Sequence, residues 1–330
     1  MLETAQQERA EAARSMTPQV SVITATYNRP QVLAHAIASV RSSTLEAWEL
    51  LVIGDACTDD TSATVASFND DRIRFVNLAK NCGEQSGPNN EGVRRARGRY
   101  IAFLNHDDLY FPDHLAESVA FCEQAGADLV WSPLLVALPP TAEEDTAAGR
   151  RFRLSGVPVG EAFDPRVFVF ASAWLLTREL AERVGPWRPA RQTFVTSSQD
   201  WLFRAWRLGS RLRFRPRVTV LAVPGGARRG SYSIAASAEH DAVVAEMRAN
   251  PRFREAALEA AAIAGERETN RHRFGRAWPS ALRALFFRPV SAAAIRVGVH
   301  PLAPYFALRH GRRGNLISAI RRRTGVRPLP

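Results

Sequence analysis

Four apolar runs in the first third of the chain each stop at a cluster of polar residues, and a helix-like stretch follows each one. VSVITA (20–25) gives way to Thr26-Tyr27-Asn28, ELLVIG (49–54) to Asp55, RIRFVN (72–77) to a Gly- and Asn-rich loop, and YIAFL (100–104) to Asn105-His106-Asp107-Asp108. After the first run Pro30 stands where a first helical residue belongs, and Val32, Leu33, Ala36, Ile37 and Val40 keep helical spacing. Helices are also expected from the Asp55 loop through Val65, over 90–97, and from Pro112 onward. Such alternation predicts a parallel sheet with helices on both faces. Ligands of open α/β sheets bind beyond the C-terminal ends of the strands, where these polar clusters fall, so the clusters are expected to share one site. Adjacent acids disfavour each other's ionised form. With no Lys or Arg in residues 100–112, Asp107 and Asp108 are expected either to face water or to hold a metal.

A length of 330 residues at 46% hydrophobic composition can bury one large core or two smaller ones. The formal net charge of +11 is unevenly placed: residues 271–330 hold 13 Arg and no Lys, Asp or Glu, which leaves residues 1–270 near neutral at −2. A wholly nucleic-acid-binding body is therefore not expected. Three scattered cysteines, Cys57, Cys82 and Cys122, suit a reducing compartment and read as small buried residues. The first 17 residues are polar and lack the apolar core of a signal peptide, and no run of about 18 apolar residues predicts a spanning helix. A cytoplasmic protein is expected. Residues 134–165 read as a Pro-, Ala- and charge-rich connection, and residues after 240 as helices interrupted by prolines.

Five elements recur in order: T-x-Y-N after the first strand, D-x-x-T-D-D-T after the second, two N-x-G elements, G-x-Y-I-A-F-L-x-x-D-D, and Q-D-W some 90 residues on. Together, over 19–226, they resemble the family 2 glycosyltransferases of the GT-A fold, a specific likeness because any one element alone would be weak. The resemblance implies an α/β, Rossmann-like nucleotide-diphospho-sugar transferase fold with a mostly parallel central sheet. It divides the chain into a polar arm (1–17), a GT-A domain (18–245, with a nucleotide-binding half at 18–132 and an acceptor half at 133–245) and a helical Arg-rich extension (246–330).

The resemblance also assigns roles that the chemistry makes sensible. A nucleotide-diphosphate sugar must lose its diphosphate, and Mn²⁺ or Mg²⁺ bridging those oxygens stabilises the leaving charge. Hard carboxylate oxygens suit either ion, and one or two suffice. By resemblance Asp108 is the principal metal ligand, and Asp107 reaches the donor ribose or the metal. Asn105 stands where the family often has the first acid of D-x-D. Asp55 matches the acid that accepts a ring N–H of a base such as uracil or thymine, flanked by Tyr27 and the backbone at Ala25. Gly83 and Asn90 match the loop and helix that close over the nucleotide. Because Asn89 stands where many members carry Arg, Arg228 and Arg229 are the expected phosphate-neutralising cations. Asp200 matches the base that deprotonates an acceptor hydroxyl, which implies inversion at the anomeric carbon, with Asp164 and Glu161 next in line.

Plainer readings compete at several positions. Asp107 and Asp108 could cap a turn, Asp59 and Asp60 read as turn and N-cap residues, and Asp200 could be the N-cap of the helix over WLFRAWRL. Trp174, Trp187 and Trp201 could stack on acceptor sugars or simply pack the core. His106 and His240 read as structural. The tail interleaves Arg with apolar residues in ALRALFFRPVSAAAIRVGVHPLAPYFALRH, which fits an anionic membrane surface or a helical segment packed on the body. No zinc spacing or RNA-binding signature supports a specific nucleic-acid partner. The expected function is inverting, metal-dependent transfer to a glycan or lipid-linked acceptor in cell-surface polysaccharide synthesis, with catalytic body and tail separable near Gly265. A nucleotidyltransferase making nucleotide sugars, or a non-catalytic membrane or nucleic-acid adaptor, are the alternatives. The first is disfavoured by T-A-T-Y-N in place of a Gly-rich basic loop after strand one, and by Lys80 being the single Lys.

Overall fold

Strands β1 (Val20–Thr26) and β2 (Trp48–Gly54) lie side by side in parallel, with Val20 opposite Trp48 and Thr26 opposite Gly54. Every residue of β2 is buried because its two faces feed two cores. Leu50 and Val52 pack with Val22, Leu33 and Ile37, while Leu51 and Ile53 pack with Ile23, Phe103 and Trp174. Burial on both faces is why these runs show no apolar-polar alternation. The computed structural model describes residues 17–139, 151–158, 160, 162–232, 238–275 and 277–329. Glu161 and nearly all of the polar arm lie outside them.

The large sheet adds β3 (Ile73–Asn77), β4 (Tyr100–Phe103), β6 (Leu129–Trp131), β9 (Trp174–Thr177) and β10 (Leu212–Phe214) in the order β10-β6-β9-β4-β1-β2-β3. Its seven strands are parallel except β9, which runs against both neighbours. Helix α1 (Pro30–Arg41) starts at its proline and buries the five residues expected of it. Helix α2 is Thr61–Ala66, and Asp59 accepts from the Thr61 N–H at 3.1 Å, as a turn residue should. Helix α3 (Ser86–Arg95) begins a turn before the expected start at 90. Helix α4 (His114–Gln124) begins two residues after Pro112. Helices α5 (Arg178–Val184) and α6 (Ser197–Arg207) follow β9.

The stretch 100–112 is not one strand. Strand β4 ends at Phe103, the chain turns, and Asp108–Tyr110 forms β5 of a second sheet with β7 (Leu134–Ala137), β8 (Phe152–Ser155) and β11 (Val220–Ala222), in the order β5-β11-β7-β8. The supposed connection at 134–165 thus holds two strands. Runs of four residues are too short to show a period, and β7 finds its partner β11 some 85 positions along the chain.

The boundary expected at 245 falls inside α7 (Ala238–Ala249). Phe253, Ala257 and Ala261 of α8 (Phe253–Gly275) then pack with Leu109, Phe111, Phe152 and Leu221 of the second sheet. After α9 (Ala277–Arg296) and α10 (Ala303–His310), α11 (Asn315–Thr324) returns to the body. The Gly230 N–H donates to Arg323 O at 2.8 Å, and the Tyr232 N–H to Thr324 O at 2.9 Å. The end of the basic tail is therefore part of the body's wall, contrary to its expected separability.

Glu49 of β2 is buried and ties strand to helix end, accepting from Ser21 Oγ at 2.7 Å, the Arg97 N–H at 2.7 Å and Arg74 at 2.6 Å. Burial opposes its charge, but these partners outweigh burial and lower its pKa below 4.5. The stability it contributes is therefore full above that value and lost as pH falls through the lowered one. Glu49→Gln should cost about 1–3 kcal/mol at pH 7 and flatten the acid limb of the stability profile, read by denaturant unfolding from pH 7 to 3. An unchanged acid limb would refute this account.

Candidate active site

The C-terminal ends of β1, β2 and β4 open on a cleft of about 320 Å³. Ala25, Tyr27, Asp55, Gly83 and Asp107 all line it, so residues from four separate loops meet there as expected. Asn90, Asp108, Asp200, Arg228 and Arg229 do not line it.

At one end, Asp55 accepts from the Cys82 N–H at 2.6 Å and the Gly83 N–H at 2.8 Å, one on each oxygen. Burial raises its pKa, and these two N–H groups hold it back. Gly83 adopts φ +77°, and a Cβ there would meet Leu329 at 3.0 Å and Arg321 at 3.3 Å, so both its backbone and its surroundings favour glycine. Tyr27 faces Tyr232 with ring centroids 6.3 Å apart.

At the other end the paired acids part company. Asp107 lines the cleft, and its Oδ2 accepts from the Gly225 N–H at 2.5 Å. Burial opposes its ionisation, but His106, Arg29, the Gly225 N–H and His240 outweigh burial and lower its pKa. Asp108 is completely buried beneath it, accepting from Ser172 Oγ at 2.5 Å and Asn105 Nδ2 at 2.8 Å. Burial, then the Asp107 anion, push its pKa up to about 7. The expected order of the two is thus reversed: Asp107 presents the carboxylate to the cleft, and Asp108 is sealed from it. Asn105, in the place of an acid, serves as a donor to Asp108. Only Asp107 is open to the cleft, and neither acid simply caps a turn. His240 lies 3.1 Å from the Asp107 carbonyl oxygen and His106 3.4 Å from Ala25 O, so both histidines brace the cleft wall.

Other expectations need correction. Arg228 is tied to Glu239 at 2.7 Å and to the carbonyls of Pro224 and Ala137, and Arg229 is exposed away from the cleft, so neither is placed for phosphate. Asn90 exchanges two hydrogen bonds with the Trp187 backbone, at 3.0 and 2.8 Å, instead of reaching the cleft. Trp174, Trp187 and Trp201 stack on one another at 5.8 to 6.2 Å and are nearly fully buried, which makes them core. Asp164 pairs with its neighbour Arg166 at 2.7 Å. Cys82 is exposed rather than buried.

Three cleft features escaped the sequence reading. Arg29 lies beside Asp107 and over Tyr232, 5.3 Å from the ring centroid, and its buried Nε and Nη1 have no hydrogen-bond partner. Its position next to T-x-Y-N was the available signal. Glu84 lines the cleft and accepts from Ser197 Oγ at 3.1 Å. Ile317, Ile320, Arg321 and Thr324 of α11 roof it, and nothing in an Arg-rich tail marks them locally.

Residues 21–183, just under half of the chain, match the family model "Glycosyl transferase family 2". The chain is 36% identical over 112 residues to succinoglycan biosynthesis protein ExoO of Rhizobium meliloti, covering 34% of this chain and 32% of that protein. It is 35% identical over 101 residues to the Escherichia coli UDP-Glc:alpha-D-GlcNAc-diphosphoundecaprenol beta-1,3-glucosyltransferase WfgD, covering 31% and 40%. Similarity thus spans about a third to two-fifths of these relatives' length. The solved structure of S. aureus TarS 1-349 with UDP aligns at a TM-score of 0.49 and 18% identity, over 62% of this chain and 60% of that one.

Asp200, in the first turn of α6, accepts from Arg204 Nε at 3.0 Å and lies 3.5 Å from Arg188, while Arg204 also donates to the carbonyls of Val184 and Pro186. Thr196, not Asp200, is the N-cap. Asp200 therefore anchors the 184–188 loop. Asp200→Ala should lower stability by about 1.5–3 kcal/mol in denaturant unfolding, the cost of losing hydrogen bonds to a charged partner. A loss within about 0.5 kcal/mol, usual for a surface change, would refute the anchoring role.

Proposed function

We propose that the protein is an inverting glycosyltransferase that moves a sugar from a nucleotide-diphosphate donor of UDP or dTDP type to a glycan or lipid-linked acceptor in cell-surface polysaccharide synthesis. The observation that carries the reading is the convergence of Tyr27, Asp55, Gly83 and Asp107 on one cleft at the strand ends of a family 2 domain. The names of the relatives, one assigned to succinoglycan biosynthesis and one to UDP-Glc and a diphosphoundecaprenol-linked acceptor, support the same class.

Asp107 fits a divalent ion. Its carboxyl is held anionic and it lines the cleft. Among the described residues no group of three or more His, Cys, Asp or Glu side chains could hold a metal, so Mg²⁺ or Mn²⁺ would take its remaining ligands from the donor's diphosphate and water. The ion would stabilise the leaving diphosphate. Asp55 would accept the base N–H, and Tyr27 would cover the ring. Asp108, neutral at mildly acid pH, would hold the turn that aims Asp107.

For the proton acceptor, Asp200 keeps its motif position, and Glu84 is the remaining carboxylate that lines the cleft. Mass spectrometry of products from a panel of nucleotide sugars, with and without Mn²⁺, tests the reading. Transfer should require metal and be lost in Asp107→Asn. Nucleotide-sugar synthesis in a parallel assay with a sugar 1-phosphate and a nucleoside triphosphate, with release of pyrophosphate, would instead support a nucleotidyltransferase, and no product in either assay an adaptor. Turnover should fall by roughly 10² to 10⁴ in whichever of Asp200→Asn and Glu84→Gln removes the base, with donor affinity kept.

The tail supports peripheral binding to an anionic membrane. Arg288, Arg296 and Arg309 share α9 and α10 with exposed Val290 and Leu308, and Val297 and Val299 are exposed just beyond α9. No helix of the described residues is long and apolar enough to cross a membrane. The full chain should sediment with phosphatidylserine-containing vesicles and progressively less so as salt rises, because surface attraction is screened within about 10 Å at 0.1 M. Equal sedimentation with neutral vesicles would remove the charge-driven reading.

A further inference from the structure

A nucleotide-diphosphate donor brings at least two negative charges, and the cations expected to meet them, Arg228 and Arg229, are placed elsewhere. Arg321 lines the cleft from the opposite end of the chain. It rides on α11, whose neighbours Ile317, Ile320 and Thr324 line the same roof. Its guanidinium donates to the carbonyl oxygens of Gly83 and, at 2.6 Å, Arg327. Both are uncharged acceptors, and among the described residues no carboxylate lies within ion-pair distance of it. Its charge acts on Asp55 at one end of the cleft and on Tyr232, which also feels Asp107, towards the other. Arg321 thus lines the cleft beside the Gly83 loop, whose N–H donates to Asp55 at the expected base site.

We infer that Arg321 is a donor-binding residue, the cation that meets the diphosphate of the nucleotide sugar, delivered to the cleft by the last helix of the tail. A guanidinium presents two parallel N–H groups to a phosphate, and such charge-assisted bonds are stronger than its bonds to neutral carbonyls. On donor binding the guanidinium exchanges the Gly83 and Arg327 carbonyls for phosphate oxygens. Leu329 and Arg321 occupy the space a Cβ at Gly83 would need, which places this exchange at the loop that also donates to Asp55. The tail therefore has a second task beside any membrane contact: it completes the donor site.

The inference rests on the nucleotide-sugar reading, and the test separates the two. Calorimetric titration of the full chain with UDP and with uridine, in Mg²⁺, is compared among wild type, Arg321→Gln, Arg321→Lys and Arg322→Gln, an exposed position on the same helix. Arg321→Gln should weaken UDP about 10- to 100-fold while leaving uridine within about twofold, since uridine lacks the phosphates. Arg321→Lys should recover part of the UDP affinity, and Arg322→Gln should match wild type. Hydrogen exchange at the Gly230 and Tyr232 amides, which donate to α11, reports whether the helix stays docked. Unchanged UDP affinity in Arg321→Gln would overturn the inference and leave the transferase reading standing. Equal loss of UDP and uridine, with faster exchange at those amides, would reduce Arg321 to a structural tie. A wild-type chain that binds none of UDP, dTDP or GDP would overturn the nucleotide reading and this inference with it.

Discussion

Two neighbouring carboxylates at the junction of two sheets set the terms for the rest of the structure. Strand β4 belongs to the large sheet and β5 to the small one, and Asp107 and Asp108 sit where the chain passes between them. Two ionised acids side by side in a low dielectric would repel strongly, so their environments are driven apart. Asp107 receives the positive surroundings of His106, Arg29 and His240, together with the Gly225 N–H, and keeps its charge. Asp108 receives burial and two neutral donors, Ser172 and Asn105, and tends to the protonated form. One acid becomes the cleft's anion, and the other becomes the peg that holds it there.

This division explains why the second sheet matters to the site. The Gly225 N–H that fixes Asp107 lies just after β11, and β11 pairs with β5 through Ala222 opposite Asp108. Helix α8 covers the far face of that sheet through Phe253 and Ala257. Residues far beyond the family 2 match at 21–183 thereby hold the carboxylate that the motif supplies. The basic C-terminal segment continues the same logic, because its last helix lines the cleft.

Much of the nucleotide-binding half was legible in the chain itself. Long buried runs on β1 and β2, helical spacing after Pro30, and polar residues at strand ends are local signals that mark Tyr27, Asp55 and Asp107, whereas Gly83 and the role of each residue come from the family resemblance. The acceptor half was not legible. Strands β7 and β8 are four residues each, and their apolar character comes from a partner strand and a helix distant in sequence. Asp200 illustrates the same limit, because its motif position is local while its Arg204 and Arg188 partners are known only from packing.

What the sequence by itself determined is the order of strands and helices in the first half and the set of polar residues presented at its strand ends, because both depend on periodicity and on residue type within a few positions. Tertiary structure alone decided which of two identical neighbouring side chains faces the cleft, since Asp107 and Asp108 differ only in what surrounds them. It also decided that Arg321, more than 200 residues from Asp107, reaches the cleft while Arg228 is drawn into an ion pair with Glu239. Charge fixes what a residue can do, but burial and neighbours fix which copy of it does so, and those are properties of the folded chain.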